Sequence, residues 1–292
     1  MSRSTPAPAP VLEARRLAVR YHTSRGPRTA LRGVDLVVFP GEVLGVVGES
    51  GSGKSSLLGA LIRLLPPEAE ITADRLVFAG TSVLDAAPAQ LRALRGAGVA
   101  TIFQDPRASL NPALRVGLQI AEVARCHQGV GRKRAAALAV EALARVGMPE
   151  PAYIARAYPH TLSGGMCQRV MIAMALVGQP RVLLADEPTT ALDVRAQAGI
   201  LDLLRALARE HRLGIVLVSH DLRVIGEIAN RVMVLKAGRI VEHGLVHDVL
   251  GRPQKAYTRK LVSVVPRLGA AKGPIGDLEE APVGAGGAEW LG

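Results

Sequence analysis

One short segment constrains the fold more than any other. Gly48, Glu49, Ser50, Gly51, Ser52, Gly53, Lys54 and Ser55 fit the pattern G-x-x-x-x-G-K-[ST]. The apolar run Glu42–Val47 before it reads as a strand, and the apolar-periodic stretch Lys54–Leu65 after it reads as a helix. Glycines let the backbone curl so that successive N–H groups point inward at phosphate oxygens. The following helix adds its positive N-terminal end. Lys54 is then placed to neutralise β- and γ-phosphates, and the Ser55 hydroxyl to complete a Mg²⁺ shell. With Ser56, these residues form the candidate nucleotide-binding set.

A second element supports the same chemistry. Val182–Ala185 is a short apolar run that reads as a buried strand, and Asp186 and Glu187 emerge at its C-terminal end. Open α/β sheets bind ligands at that end. Asp186 is the expected Mg²⁺ carboxylate, and Glu187 the expected base for an attacking water. Val99–Phe103, Gly214–Ser219 and Arg231–Leu235 read as further buried strands of a mainly parallel core sheet. Two antiparallel strands are expected near residues 12–21 and 30–39, with a hairpin tip at Ser24–Pro27. Residues 117–127 and 132–147 carry helical spacing, within a helical insert spanning about 111–178.

Composition bounds the rest. The 292 residues suit two average domains or one large α/β unit. Aromatics make up only 3% against 49% hydrophobic residues, so the core must be aliphatic. A membrane-spanning helix needs about 20 apolar residues, and no apolar stretch here approaches that length. The first residues lack the apolar core of a secretion signal. Cys126 and Cys167 are too few for a disulfide framework and read as reduced thiols. The formal charge of +11 suits polyanion partners such as nucleic acid, nucleotide phosphates or an anionic membrane face. Yet 30 of the 36 cations are Arg, a bias that codon usage alone can produce. Residues 1–10 read as a flexible extension. Residues 267–292, rich in Gly, Ala and Pro, are expected to be disordered; Arg267 and Lys272 stand there against Asp277, Glu279, Glu280 and Glu289, a net −2.

With Leu162, Ser163, Gly164, Gly165 and Met166, the chain resembles the ATPases of ABC transporters over about residues 11–265. Tyr21, the phosphate loop, Gln104, this signature, Asp186–Glu187, Asp193 and His220 follow in the family's order. The resemblance implies an α/β P-loop NTPase with an N-terminal antiparallel β subdomain and an inserted α-helical subdomain, residues 11–266 forming one ATPase domain. It implies ATP and Mg²⁺ as ligands. Tyr21 would stack on adenine, and Gln104 would reach Mg²⁺ or the lytic water. Ser163 and Gly165 would donate to the γ-phosphate of ATP held by a partner subunit. Asp193 would lie at the dimer seam, and His220 would contact the γ-phosphate and orient the water.

Finer features resemble the dipeptide, oligopeptide and nickel importer branch: Ile102–Pro112, Tyr158–Gly165, Asp186–Val194, Ala237–Glu242 and Pro253–Leu261. Cys167 departs from that pattern, where Arg or Gln is usual, and is expected beside the site with hydrolysis slowed or unchanged. The branch implies a second ATPase subunit, identical or paralogous, two membrane permease subunits and, indirectly, an extracytoplasmic solute-binding protein. It implies a peripheral position on the cytoplasmic face of the cell membrane and no nucleic-acid partner. A different class remains open: a soluble ABC ATPase acting on nucleic acid or ribosomes, which the positive charge would suit.

Overall fold

The computed structural model describes residues 8–190 and 192–264. The segments 1–7 and 265–292 lie outside the described residues, so the expected C-terminal tail and most of the N-terminal extension do too.

Two sheets form the body. The first is antiparallel: β1 (Leu12–Thr23) pairs with β2 (Gly26–Val38). The hairpin turns at residues 24–25, tighter than the tip expected at Ser24–Pro27. The second sheet contains β3 (Val43–Val47), whose five residues are all buried, followed by the phosphate loop and α1 (Lys54–Leu61). Strands β4 (Ala69–Thr72), β5 (Arg75–Phe78) and β6 (Thr81–Ser82) complete the antiparallel sheet, β4 and β5 both pairing with β1.

Helix α2 (Pro88–Ala97) returns the chain to the second sheet at β7 (Val99–Ile102), and α3 (Pro106–Ser109) follows. The expected helical stretches form α4 (Val116–Gln128) and α5 (Arg132–Arg145), then the single turn α6 (Pro151–Ile154). Helix α7 (Gly164–Val177) leads into β8 (Val182–Asp186), and α8 (Val194–His211) into β9 (Gly214–Val218). The chain continues through α9 (Leu222–Ile228), β10 (Arg231–Lys236), β11 (Arg239–Leu245), α10 (Val246–Gly251) and α11 (Ala256–Val264). The second sheet runs β11-β10-β3-β9-β8-β7, parallel except for the β10–β11 pair.

Helix α1 is shorter than the expected Lys54–Leu65. Arg63 adopts a left-handed φ of 50°, and the Leu64 N–H donates back to the Gly59 carbonyl at 2.7 Å. Pro66 and Pro67 then exclude further helix. Arg95 closes the end by donating to the carbonyls of Ile62 (3.0 Å) and Arg63 (2.7 Å), a cation at a helix C-terminus.

The core follows from strand alternation. Leu44, Val46, Leu184, Val216 and Val218 turn to one face and pack with Leu57 and Leu61 of α1 and with Leu12, Leu17, Leu31 and Phe78 of the antiparallel sheet. Val43, Val47, Leu183, Ala185, Ile215 and Leu217 turn to the other and pack with α4, α5, α7, α8 and α9. The insert helices therefore share one apolar cluster with the underside of the sheet. Gly45 is required where α9 crosses β3: a Cβ there would lie 2.6 Å from Ile225 Cγ2.

Ion pairing also ties the sheet. Glu42 accepts from Arg231 Nη1 at 2.9 Å and from the Phe39 N–H at 2.8 Å. Burial holds the Glu42 carboxyl above its ordinary range, against the opposing pull of Arg231. An acid raised in this way takes up its proton first in the folded state, so its contribution to stability grows as pH falls. Arg231→Met is expected to destabilise the chain by about 3 kcal/mol at pH 7, the low end for breaking a buried pair because Arg231 is partly exposed. The deficit shrinks as pH falls toward 5, since a neutral Glu42 needs no counter-ion. Denaturant titrations at a series of pH values check this; a deficit that stays constant across them contradicts it.

Candidate functional site

The C-terminal ends of the parallel strands carry the site. The phosphate loop leaves β3 and turns into α1 at Gly53, whose φ of 110° only glycine adopts without strain. A Cβ at Gly53 would also lie 2.7 Å from the Ala30 carbonyl. Asp105, Ser163, Asp193 and Asp221 each cap the helix they precede with a side-chain oxygen. Helix α1 has no side-chain cap and no acid in its first turn. Its first N–H groups need partners from outside the helix, and an anion is the partner that a helix N-terminus favours.

Lys54 is buried at the start of α1. Its amine donates to the Gly48 carbonyl at 2.7 Å and the Glu49 carbonyl at 3.0 Å, so the loop wraps around its own lysine. Burial pulls its pKa down, opposed by the charges of Glu187 and Asp186. Asp186, at the end of β8, is pushed up by burial and then by neighbouring Glu187, while a hydrogen bond from Ser55 pulls it down. Two desolvated groups of opposite sign therefore face each other where a charged ligand would complete both. The Ser55 hydroxyl and the Asp186 carboxylate meet, with the Gln104 amide on the next strand end. These are hard oxygen donors of the kind Mg²⁺ takes, so the residues fit that ion. The Ser52 hydroxyl, buried in the same loop, has no hydrogen-bond partner among the described residues.

Glu187 follows Asp186 with a left-handed φ of 47°, a conformation that costs a non-glycine residue about 1–2 kcal/mol. Its N–H donates to the Val218 carbonyl at 3.0 Å. Thr190 Oγ1 at 2.9 Å and Gln104 Nε2 at 3.3 Å donate to its Oε2, and His220 Nδ1 lies 2.9 Å from the same oxygen, an ion pair when the imidazole is protonated. Gln104 comes from the end of β7 and His220 from the end of β9, so the strands on either side of β8 deliver them to one oxygen. Tyr21, on β1, places its hydroxyl 3.1 Å from Ser56 Oγ, beside the first turn of α1.

The signature residues lie elsewhere. Ser163 caps α7 and accepts from the Met166 N–H at 3.3 Å. Asp193 caps α8 and accepts from the Ala196 N–H at 2.9 Å. A Cβ on Gly165 would lie 3.1 Å from Ala196 Cβ, so signature and Asp193 share one corner. Among the described residues no hydrogen bond joins this corner to the phosphate loop. Cys167 is fully buried behind the signature, its thiol 3.4 Å from the Pro159 carbonyl, beside the corner and not in it.

Three contacts escape sequence reasoning. Thr190 reaches Glu187 by the local turn geometry of i to i+3. Arg107 donates to the Leu162 carbonyl at 3.3 Å, linking the segment after Gln104 to the signature. The Tyr257 hydroxyl accepts from the Glu49 N–H at 3.2 Å.

A parallel sheet with this loop and this pair of strand-end carboxylates defines a phosphate-loop nucleotide hydrolase fold. The chain belongs to the ABC transporter family, whose defining pattern matches residues 31–190. It is 46% identical over 266 residues to the oligopeptide transport ATP-binding protein OppD of Mycobacterium tuberculosis, covering 91% of this chain and 43% of that protein. It is 42% identical to the dipeptide transport ATP-binding protein DppD of Haemophilus influenzae, covering 92% of this chain and 82% of that one. The chain thus spans less than half of the mycobacterial protein. Among solved structures, the dimeric ATP-binding cassette MJ0796 in a post-hydrolysis state with ADP and Pi is similar, with a TM-score of 0.69 and 28% identity over 80% of this chain and 98% of that one. CbiO1 of Clostridium perfringens, part of an ABC transporter complex, gives a TM-score of 0.71 at 28% identity over 89% and 96% of the two chains.

Proposed function

We propose that the chain binds and hydrolyses ATP as the motor subunit of an importer for peptides or a related small solute. The observation that carries this reading is the convergence of Gln104, Thr190 and His220 on Glu187 beside Lys54, Ser55 and Asp186. That arrangement suits in-line attack of water on a γ-phosphoryl group. The water oxygen bonds to phosphorus as the bond to the β-phosphate oxygen breaks, and ADP departs with the electron pair. Glu187 accepts the water's proton, held in place by Thr190, Gln104 and His220, and passes it on to the released phosphate. Lys54 and the α1 N-terminus balance the phosphate charge. Ser55, Asp186 and Gln104 would hold Mg²⁺, which would supply further neutralisation of phosphate charge. Tyr21 supports the adenine.

The separation of the signature corner from the phosphate loop supports a dimer. Ser163 and Gly165 of one subunit complete the site of another, with Asp193 at the seam. ATP then joins two surfaces that its cleavage releases, a ligand-biased two-state motion. The partner is a second ATPase subunit, identical or paralogous. Residues 11–266 act as one ATPase domain, and the insert at about 111–178, with Gln104, docks two membrane permease subunits that respond to an extracytoplasmic solute-binding protein. This puts the chain on the cytoplasmic face of the membrane. Among the described residues no helix is long and apolar enough to cross it. The relatives named above support the peptide assignment. An ATPase assay tests the reading: rates are expected to rise with the permease subunits and a peptide-loaded binding protein, and not with DNA or RNA. Stimulation by nucleic acid alone would replace the importer with the other class.

A further inference from the structure

One contact of the phosphate loop arrives from the far end of the fold. The Glu49 N–H donates to the Tyr257 hydroxyl at 3.2 Å, across 208 positions of sequence. The carbonyl of the same peptide unit belongs to Gly48, and it accepts from Lys54 Nζ at 2.7 Å. The Gly48–Glu49 peptide plane is thus held from both sides, by Tyr257 on its N–H and by Lys54 on its oxygen. Rotating the plane to free one bond moves the other.

Tyr257 is itself firmly placed. It is the second residue of α11, and Glu242 on β11 accepts from the N–H groups of Gln254 (2.7 Å) and Lys255 (3.1 Å) just before that helix. A carboxylate at a helix N-terminus is favourable; burial pushes the Glu242 carboxyl up, but the Thr258 side chain and these two N–H groups together hold it below its ordinary range. Lys236, the last residue of β10, sets its amine 4.6 Å from the centre of the Tyr257 ring, within cation–π range. The ring packs on the edge of the apolar cluster beneath the sheet. In a chain with four tyrosines, this one is braced by a strand end, a capped helix and the core, and spends its hydroxyl on the phosphate loop.

We propose that Tyr257 is a positioning residue for nucleotide binding: its hydroxyl orients the Gly48–Glu49 peptide, that peptide's carbonyl aims the Lys54 amine, and α11 acts as a strap on the phosphate loop. The proposal rests on the ATP reading of this site. Tyr257→Phe removes the hydroxyl and keeps the ring, its packing and the cation above it. Losing one neutral hydrogen bond changes an equilibrium by about two- to tenfold.

The test measures ATP affinity and steady-state hydrolysis of the full chain, wild type against Tyr257→Phe and Lys236→Gln. Tyr257→Phe is expected to raise the Kd and KM for ATP about fivefold, with kcat within about twofold and the melting temperature without nucleotide unchanged. Lys236→Gln, which loosens the ring but keeps its hydroxyl, is expected to shift KM in the same direction by less. Tyr257→Phe with wild-type affinity overturns the proposal, and so does a fall in kcat at constant KM. A wild-type chain that binds ATP no better than Lys54→Ala removes the nucleotide reading itself, and the strap with it. Wild-type binding with an unaffected Tyr257→Phe removes only the strap.

Discussion

Glu187→Gln is expected to bind ATP with near wild-type affinity and to hydrolyse it about a hundred- to ten-thousandfold more slowly, the range for losing a positioned general base. The amide has the size of the carboxylate and keeps an oxygen for His220 and Thr190, which both lie 2.9 Å from Oε2. It cannot accept the water's proton. The φ of 47° is unchanged by the swap, so the backbone strain is common to both chains and cancels in the comparison. Single-turnover phosphate release reads the chemical step directly. Because cleavage is what parts the two subunits in the proposed cycle, the variant should also accumulate as an ATP-bound dimer at millimolar ATP, visible by size-exclusion chromatography. Phosphate release at the wild-type rate would take Glu187 out of the base role. A slow but persistently monomeric variant would leave the base in place and take away the self-dimer.

Much of this site was legible because its parts sit where unbroken apolar runs meet special residues. Val43–Val47 before the glycines, Val182–Ala185 before Asp186, and Ile215–Val218 before Ser219 and His220 read as buried strands, and each ends on residues of the candidate site. The antiparallel partners were harder to see. β4 alternates between half-buried and exposed residues over four positions, and β6 is two exposed residues, so neither leaves a pattern long enough to read. The end of α1 was overestimated because apolar spacing continues through Leu64 and Leu65, whereas the left-handed Arg63 and the two prolines stop the helix. Thr190 on Glu187 was hidden in a turn whose geometry depends on a positive φ that no glycine announces. Tyr257 on Glu49 was invisible for a different reason. Contacts between distant segments come from tertiary packing, and periodicity says nothing about them. The fold was therefore readable from local runs, and the support of the site from the structure alone.

Lys54→Ala is expected to lower ATP affinity by at least a hundredfold. Charge-assisted hydrogen bonds contribute about 1.5–3 kcal/mol each, and two such contacts to phosphate oxygens exceed the roughly 2.8 kcal/mol that a hundredfold change requires. The effect on the nucleotide-free chain should have a different sign or none. Lys54 is only 8% exposed, and burial is the largest influence on its pKa, acting to disfavour its charge. Removing the amine relieves that penalty. It also strips a donor from the Gly48 and Glu49 carbonyls and withdraws a counter-charge from Asp186 and Glu187. These terms oppose, so the melting temperature without ligand should stay within a few degrees of wild type. Adding ATP raises the wild-type melting temperature by the usual linkage between binding and folding, and that rise should vanish in the variant. A thermal-shift series over ATP concentration measures both quantities at once. A preserved ligand-induced shift would mean that the loop's N–H groups and the α1 terminus hold the phosphates without the lysine. A large loss of stability without ligand would mean that Lys54 serves mainly to fold its own loop.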